Sequence, residues 1–360
     1  MKVGEPYPRR KSRVVHLGPV AVGGGNPISI QSMNNTRTAD VEATLDQLHA
    51  LAEAGAEIGR LAVAGRQDAE ALPQIVARSP LPLVADIHFD YLLALAAIRA
   101  GIAGLRINPG NIGGKERVSQ VARAAREAGI PIRVGVNGGS LEKDLRKKYG
   151  GCTGQALCES ALRHVEMLED NQFFDIKISL KATSLPVMLS AYREIAVKCE
   201  YPLHLGVTEA GLGEDGVLKS AMGVGALLSQ GIGDTIRVSL TGDPLQEVQA
   251  AKKILSLLDI RRQGFSFISC PTCGRTEMDV EGVALAVRRA LAEVRPSRPL
   301  TIAVMGCAVN GPGEAADADV GIAGGKDCGL LFVKGQTVGK YPTEQLAPAL
   351  LAAVDKLLQE

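Results

Sequence analysis

Leu83-Val-Ala-Asp-Ile-His88 and Gly104-Leu-Arg-Ile-Asn108 are the two short apolar runs that decide the fold, and an amphipathic helical stretch lies between them. Apolar runs of this length, bounded by glycine and polar residues, predict β-strands. Two such strands joined by one helix form a unit in which the strands run parallel. The class of fold therefore depends on how often this unit recurs along the chain.

The same unit recurs from Ile28 to Leu258, and each predicted strand is followed by a predicted helix. The first helix is predicted over 40–54, with Thr38 or Asp40 as its cap, and the last over 244–258. Eight such units predict a (β/α)8 TIM barrel, and a doubly wound open sheet is the alternative. The strands are predicted over residues 28–33, 58–63, 83–87, 104–108, 132–136, 175–180, 203–208 and 235–240.

The pattern changes on both sides of this region. Residues 1–27 predict an arm or small hairpin, so the barrel domain is assigned to 1–258, followed by a linker over 259–264. Residues 265–360 predict a small α+β domain, with strands over 265–270 and 301–305 and a hairpin over 330–340. Helices are predicted there over 280–294 and 342–358.

Composition excludes several classes of protein. The 360-residue chain has a net charge of +1, no tryptophan and 3% aromatic residues, so neither a basic field nor stacking platforms favour nucleic acid binding. No apolar run is long enough for a transmembrane helix, and no apolar segment follows the basic N-terminus as in a signal peptide. A cytoplasmic protein is expected, in which the seven cysteines are thiols or metal ligands.

Polar and charged side chains occur at the predicted strands, where TIM-barrel active sites are built at the carboxyl ends. Lys177 and Lys181 bracket the sixth predicted strand, and Glu209 follows the seventh. The candidate ligand-binding residues are Arg60, Asp86, His88, Arg106, Asn108, Arg133, Asn137, Lys181, Arg237 and Ser239.

Four arginines within otherwise apolar strands are unusual, because an unpaired buried guanidinium is costly. Each one could pair with a carboxylate or point outward, but that explanation is harder to extend to all four. Guanidinium groups bind phosphate oxygens in a bidentate way, so the barrel mouth is predicted to bind a ligand with more than one phosphate. No dinucleotide or P-loop glycine motif is present, so a nucleotide is not indicated.

Two further polar residues at the predicted mouth have open roles. Glu209 could act in proton transfer or could simply pair with a nearby cation. Asp86 and His88 lie on the same face of one strand, because strand side chains alternate, and could contact the ligand. His88 could equally be a structural histidine.

Cysteines and one carboxylate in the second domain form a candidate metal site. Cys270 and Cys273 form a C-x-x-C pair, Cys307 follows in a second turn, and Glu314 lies in a third. Structural zinc, an iron–sulfur cluster and a redox dithiol all remain open from this spacing, and zinc would require Cys328 or a carboxylate. Cys152, Cys158 and Cys199 lack ligand spacing and are interpreted as structural thiols.

Four motifs together resemble one family, the bacterial 4-hydroxy-3-methylbut-2-enyl diphosphate synthases of the non-mevalonate isoprenoid pathway. The resemblance covers essentially the whole chain, with Asn34 as a departure where threonine is expected. The motifs are Gln31-Ser-Met-Asn-Asn-Thr-Arg-Thr38, Leu203-His-Leu-Gly-Val-Thr-Glu-Ala-Gly211, Cys270-Pro-Thr-Cys-Gly-Arg275, and Met305-Gly-Cys307 with Asn310-Gly-Pro-Gly-Glu-Ala315.

The resemblance implies a [4Fe-4S] cluster held by Cys270, Cys273, Cys307 and Glu314. It implies 2-C-methyl-D-erythritol 2,4-cyclodiphosphate as the substrate of a two-electron reductive ring opening, with reduced flavodoxin or ferredoxin as electron donor. Glu314 would be an exchangeable ligand that leaves one iron open, and Glu209 would donate a proton, so both are assigned catalytic roles. The resemblance further implies a homodimer in which the cluster domain of one subunit closes over the barrel of the other.

Overall fold

A computed structural model describes residues 7–307, 313 and 315–359, and it divides the chain into one compact unit that ends at Arg261 and another that begins at Arg262. The first unit holds eight parallel strands in the neighbour order β8-β7-β6-β5-β4-β3-β10-β9. A single bridge between Ile178 and Leu203 joins the two ends of this order, which gives a nearly closed barrel and confirms the predicted fold. The strands are β3 (Ser29–Met33), β4 (Ile58–Ala62), β5 (Leu83–Asp86), β6 (Gly104–Ile107), β7 (Ile132–Asn137), β8 (Ile176–Lys181), β9 (His204–Leu205) and β10 (Thr235–Ile236).

Helices follow the barrel strands and pack against their outward-facing aliphatic side chains, which form one large core. Asp40 caps the first helix by accepting a hydrogen bond from the Ala43 backbone N–H at 3.2 Å, as one of the two predicted caps. The helices are α1 (Val41–Ala54), α2 (Arg66–Arg78), α3 (Tyr91–Arg99), α4 (Lys115–Ala128), α5 (Lys143–Lys148), α6 (Gly154–Glu169), α7 (Leu185–Lys198), α8 (Gly213–Leu228) and α9 (Pro244–Leu257).

The seventh and eighth barrel strands are much shorter than predicted. Regular pairing in β9 and β10 covers two residues each, whereas the apolar runs suggested six. Apolar character continues past both strands because Val207 and Val238 are still buried under the helices. The apolar pattern in the sequence follows burial, so it continues past the residues that pair in the sheet.

A small hairpin closes the amino-terminal end of the barrel. Its strands, β1 (Val15–Leu17) and β2 (Val20–Val22), pair antiparallel, which agrees with the predicted arm or hairpin. Side chains of both strands pack in one cluster with Ile58 and Val84, which lie near the starts of β4 and β5. This cluster fills the base of the barrel, so the polar residues lie above it.

The second unit is a five-stranded mixed sheet with helices on one face, as the predicted α+β class requires. The first three strands are parallel and the last two antiparallel, and the final pair turns at Gly335 in the left-handed region. The elements are β11 (Phe265–Ser269), α10 (Val280–Ala290), β12 (Leu300–Met305), β13 (Val320–Ala323), β14 (Cys328–Val333), β15 (Gln336–Pro342) and α11 (Leu346–Gln359).

The sequence did not predict β13, which lies at the centre of this sheet. Its Gly321 is flanked by valine and isoleucine, so the four-residue run is too short and too glycine-rich to stand out. The predicted helices also differ at their ends, since α10 stops at Ala290 and α11 begins at Leu346. Within the described residues, no helix combines the length and apolarity needed to cross a membrane.

Candidate active site and thiol site

A cavity of about 550 Å³ opens at the carboxyl ends of the barrel strands. Its lining brings together five of the predicted ligand-binding and catalytic residues, from the ends of four different strands. They are His88, Arg106, Asn108, Asn137 and Glu209. Convergence of residues that are distant in sequence at this end of a barrel is the arrangement expected of an active site.

Asp86 is the counter-ion of two predicted ligand-binding arginines. Its carboxylate accepts hydrogen bonds from Arg60 at 2.6 Å and Arg106 at 3.2 Å, and it lies 3.3 Å from Nε2 of His88. Burial alone would raise the pKa of Asp86, but attraction by Arg60, the bond to His88 and attraction by Arg106 hold that pKa well below its usual range. Asp86 is thus ionised, and it fixes both guanidinium groups beneath the mouth.

Arg237 has a carboxylate partner too, whereas no carboxylate among the described residues pairs with Arg133. Arg237 lies 3.4 Å from Glu247, on the helix that follows its strand. Arg133 is 2% exposed, and two of its guanidinium nitrogens have no hydrogen-bond partner among the described residues. Burial, together with repulsion from Arg60 and Arg106, lowers the pKa of Arg133 strongly. Pairing with a carboxylate therefore accounts for Arg60, Arg106 and Arg237, but not, among the described residues, for the more deeply buried Arg133.

Lys181 adds a second cation without a described carboxylate partner. It is 7% exposed, at the end of β8, in register with Asn137. Burial and repulsion from Arg237 and Arg133 lower the pKa of the Lys181 amine well below its usual range. The site is consequently deficient in negative charge, and an anionic ligand with several oxygens would correct this.

Backbone geometry places the polar residues of the mouth loops. The Asn108 side chain accepts a hydrogen bond from the Gly110 N–H at 3.1 Å, which starts the turn after β6. Glu209 adopts a left-handed φ of 51°, uncommon for a residue with a side chain, and is exposed at the rim near Thr183. Ser239 is half-buried beyond β10 and is not part of the described lining of this cavity.

Several residues of the mouth were not predicted from the sequence. Cys152, interpreted as a structural thiol, lines the cavity beside Gly138. Phe89 also lines it and is 72% exposed. Gly135 leaves room for Arg106, because a methyl group there would lie 2.4 Å from the Arg106 Nε. A glycine at an inward-facing strand position, followed by asparagine at the strand end, was the available signal.

Three cysteines of the second unit line a cavity of about 410 Å³ at the carboxyl ends of β11 and β12. They are Cys270, Cys273 and Cys307, the predicted metal ligands. Glu314, the predicted fourth ligand, lies outside the described residues. In the described part of the chain, no three ligand-type side chains converge closely enough for a single ion.

The chemistry of these thiols fits a metal–sulfur group. Sγ of Cys270 accepts a hydrogen bond from the Gly306 N–H at 3.1 Å, the kind of bond that stabilises a thiolate. Hydrogen bonds to the backbone and side chain of Arg275 lower the pKa of Cys273, which is exposed at the rim. A lowered pKa favours the thiolate, which is the form that binds metal.

Comparison with known proteins agrees with this arrangement. Residues 12–252 match the family model described as the GcpE TIM-barrel domain, and residues 266–356 match the GcpE protein C-terminal domain. A 4-hydroxy-3-methylbut-2-en-1-yl diphosphate synthase (flavodoxin) of Geobacter sulfurreducens is 54% identical, over 98% of this chain and 99% of its own. The protein of the same name from Clostridium tetani is 52% identical, over 97% of this chain and 99% of its own.

Among solved structures, dihydropteroate synthase from Stenotrophomonas maltophilia is similar with a TM-score of 0.51 at 14% identity. It covers 68% of this chain and 98% of its own, which supports the barrel fold alone.

Fold and site together define a TIM-barrel enzyme with a cationic mouth, joined to a second unit with a three-cysteine site. Within that class, the chain belongs to the GcpE family.

Proposed function

We propose that this chain is an iron–sulfur reductase that converts 2-C-methyl-D-erythritol 2,4-cyclodiphosphate to 4-hydroxy-3-methylbut-2-enyl diphosphate. The observation that carries the proposal is the pair of buried basic side chains, Arg133 and Lys181, that lack a described carboxylate partner beneath the mouth. Relatives of this chain are named as this synthase, so a diphosphate is the anion that we assign to these basic side chains. A non-redox lyase with structural zinc is not favoured, because the relatives are named as flavodoxin-dependent.

The proposed reaction balances with two electrons and one proton. The bond from C2 to its phosphate oxygen breaks, the C3 hydroxyl leaves as water, and a C2–C3 double bond forms. The cyclic dianion thereby becomes an open diphosphate that carries one more negative charge. Arginine and lysine side chains around this oxygen would stabilise the charge as it develops.

Individual residues of this chain are proposed to bind the diphosphate and to donate the proton. Arg106, held by Asp86, and the deeper Arg133 are proposed to bind the diphosphate, with Asn108 and Asn137 at the rim. A carboxylic acid at the rim is suited to hand a proton to a departing hydroxyl, and this is the role proposed for Glu209.

Cys270, Cys273 and Cys307, with Glu314, are proposed to hold a [4Fe-4S] cluster. Support comes from the three thiols that line one cavity and from the lowered pKa of Cys273. Such a cluster supplies electrons one at a time at low potential. Flavodoxin, printed in the relatives' names, or ferredoxin is proposed as the donor to this chain.

Replacing Glu209 by glutamine should depress turnover about 100-fold or more while substrate affinity and iron content stay near normal, because the amide cannot donate the proton. Steady-state kinetics with reduced flavodoxin, calorimetric binding and iron analysis test this. Glu214→Gln, the same change at an exposed position on α8, is the control. Near-normal turnover of Glu209→Gln would remove Glu209 from the mechanism.

Replacing Gly135 by alanine should lower kcat/KM by up to about 100-fold through the substrate affinity, since small misplacements in a site have effects of this size. The added methyl would lie 2.4 Å from Nε of Arg106 and displace its guanidinium. Gly225→Ala is the matched control, because its methyl meets only a Leu258 methyl at 3.9 Å. Unchanged kcat/KM in Gly135→Ala would show that the position of Arg106 does not set affinity.

We also propose a homodimer in which the second unit of one chain, with its three cysteines, acts on the substrate bound in the barrel of the partner chain. Mixing Glu209→Gln chains with Cys273→Ser chains should then restore about one quarter of wild-type activity. Half of randomly mixed dimers would hold one competent combination, provided the interface is a closed two-fold contact. Light scattering gives the oligomeric state, and a dimer without complementation would place both sites in one chain.

A further inference from the structure

Below the mouth, the interior of the barrel is polar rather than aliphatic. Strand side chains alternate, and the outward positions of β8 and β9 are buried isoleucine and leucine residues. The inward positions there include Lys177, which is 2% exposed, and His204, which is fully buried. Barrel interiors are ordinarily filled by branched aliphatic residues, so a lysine and a histidine at this depth need a reason.

Negative charge is scarce around these two residues. The buried or half-buried basic side chains on the barrel strands are Arg60, Arg106, Arg133, Lys177, Lys181 and Arg237. In the described part of the chain, the carboxylates that contact them are Asp86, which pairs with Arg60 and Arg106, and Glu247, which pairs with Arg237.

Asp234 is a further carboxylate whose charge favours the ammonium form of Lys177, but it already has other partners. It accepts hydrogen bonds from Arg9 at 2.8 Å, Ser12 at 2.9 Å and the Leu203 N–H at 2.8 Å. Nζ of Lys177 and both ring nitrogens of His204 have no hydrogen-bond partner among the described residues. Two polar groups are thus fully desolvated in the barrel interior without a described partner.

Register places Lys177 directly beside the ligand-binding arginine. Residues 133 and 177 are paired on adjacent strands, and both side chains point into the barrel. Burial and repulsion from Arg133 lower the pKa of the Lys177 amine well below its usual range. Burial and the charges of Arg133, Lys181, Lys177 and Arg60 lower the pKa of His204 in the same way. Full burial beside Arg133, without a described hydrogen-bond partner, thus disfavours the ammonium form of Lys177 in the free protein.

We infer that Lys177 is a proton-accepting residue below the mouth, which takes up one proton when a diphosphate binds to Arg133 beside it. His204, which is buried and has no described partner for either ring nitrogen, can accept a hydrogen bond from the resulting ammonium. Lys177 would not touch the substrate, so it is a positioning residue that acts through Arg133. The inference rests on the proposed function for the identity of the ligand.

Charge balance gives the physical reason. Bound phosphate oxygens bring negative charge into a low-dielectric interior, where it offsets the repulsion that disfavours the ammonium form of Lys177. Conversion of substrate to product then adds one more negative charge at the same place. A protonated Lys177 would match that charge without requiring another arginine at the mouth.

Proton uptake can be measured directly by titration calorimetry of the full-length, cluster-loaded enzyme with the cyclodiphosphate, without reductant. At pH 8, the binding enthalpy in buffers of different ionisation enthalpy gives the number of protons taken up. Each phosphorus of this cyclic diester carries a single acidic oxygen, so it lacks the ionisation with a pKa near 6 that phosphomonoesters show. About one proton per site is expected for the wild type.

Lys177→Met removes the amine but keeps the length of the side chain, and it is expected to bind the ligand with an uptake near zero. Lys253→Met, the same change at an exposed position on α9, should behave as the wild type. Equal uptake by Lys177→Met and wild type, or no uptake by either, would overturn the inference. Lys181 would then be the better candidate if uptake persists.

A second probe separates this inference from the proposed function. Inorganic pyrophosphate can itself gain or lose a proton when it binds. The quantity to compare is therefore the difference in proton uptake between the wild type and Lys177→Met. A difference of about one proton with pyrophosphate, without any binding of the cyclodiphosphate, would support the proton site and reject the proposed substrate. Binding of neither anion would reject the inference, because it requires an anion at Arg133.

Discussion

Cys273→Ser is expected to give a folded chain that contains neither iron nor sulfide and whose turnover falls at least about 100-fold, the upper range for changes to the outer shell of a metal site. The Cys273 side chain is exposed, so its replacement removes no packing. Lost activity would therefore report the loss of a ligand rather than unfolding. Anaerobic absorbance near 400 nm, metal and sulfide analysis and circular dichroism together measure the outcome.

Cys328→Ser is the matched control for this experiment. Cys328 begins β14 in the same unit, and a zinc site would need either this thiol or a carboxylate as its fourth ligand. Normal iron and sulfide in Cys328→Ser, with their loss in Cys273→Ser, is the expected pair of results. Stoichiometric zinc without iron in the wild type would reject the iron–sulfur proposal.

Asp86→Asn is expected to lower the free energy of unfolding of the barrel by about 3–5 kcal/mol at pH 7, as for other broken buried ion pairs. Asp86 is 3% exposed and sits between Arg60 and Arg106, so its loss leaves two guanidinium groups without their carboxylate. Denaturant titration followed by circular dichroism measures the change. Asp215→Asn, at an exposed position on α8, should stay within about 0.5 kcal/mol of the wild type.

Acidification should reduce the difference between Asp86→Asn and the wild type. Because the folded-state pKa of Asp86 is lowered, its contribution to stability is fully present above the unfolded pKa of about 3.9. As the pH falls below that value, the unfolded wild type gains a proton and the contribution declines. A difference that grows on acidification would contradict the ionised state of Asp86.

The barrel could be predicted from sequence because each strand has its own apolar run and a helix to bury it. Those runs indicate which residues are buried, but they do not show where hydrogen-bonded pairing stops. Apolar residues beyond β9 and β10 were therefore included in the strands although they only pack under helices. In the second unit, Gly321 interrupted the run that forms β13, so this strand was not predicted.

The residues of the mouth were predicted by type, whereas their pairing was not. Alternation along a strand shows that Asp86 and Arg106 face the same interior, but only the register brings their side chains to 3.2 Å. The position of Lys177 beside Arg133 is likewise set by register between two strands that are distant in sequence. Pairwise electrostatics in a barrel therefore depend on information that a single sequence does not carry.

The hairpin of β1 and β2 covers the base of the barrel, at the end opposite the mouth. Its apolar residues fill the base of the barrel under Ile58 and Val84. A diphosphate bound at the mouth would then hinder proton exchange between Lys177 and solvent. The proton taken up on binding would stay in the barrel until the ligand leaves. Release of the ligand and release of that proton would therefore be coupled, and the rate of product release should depend on pH.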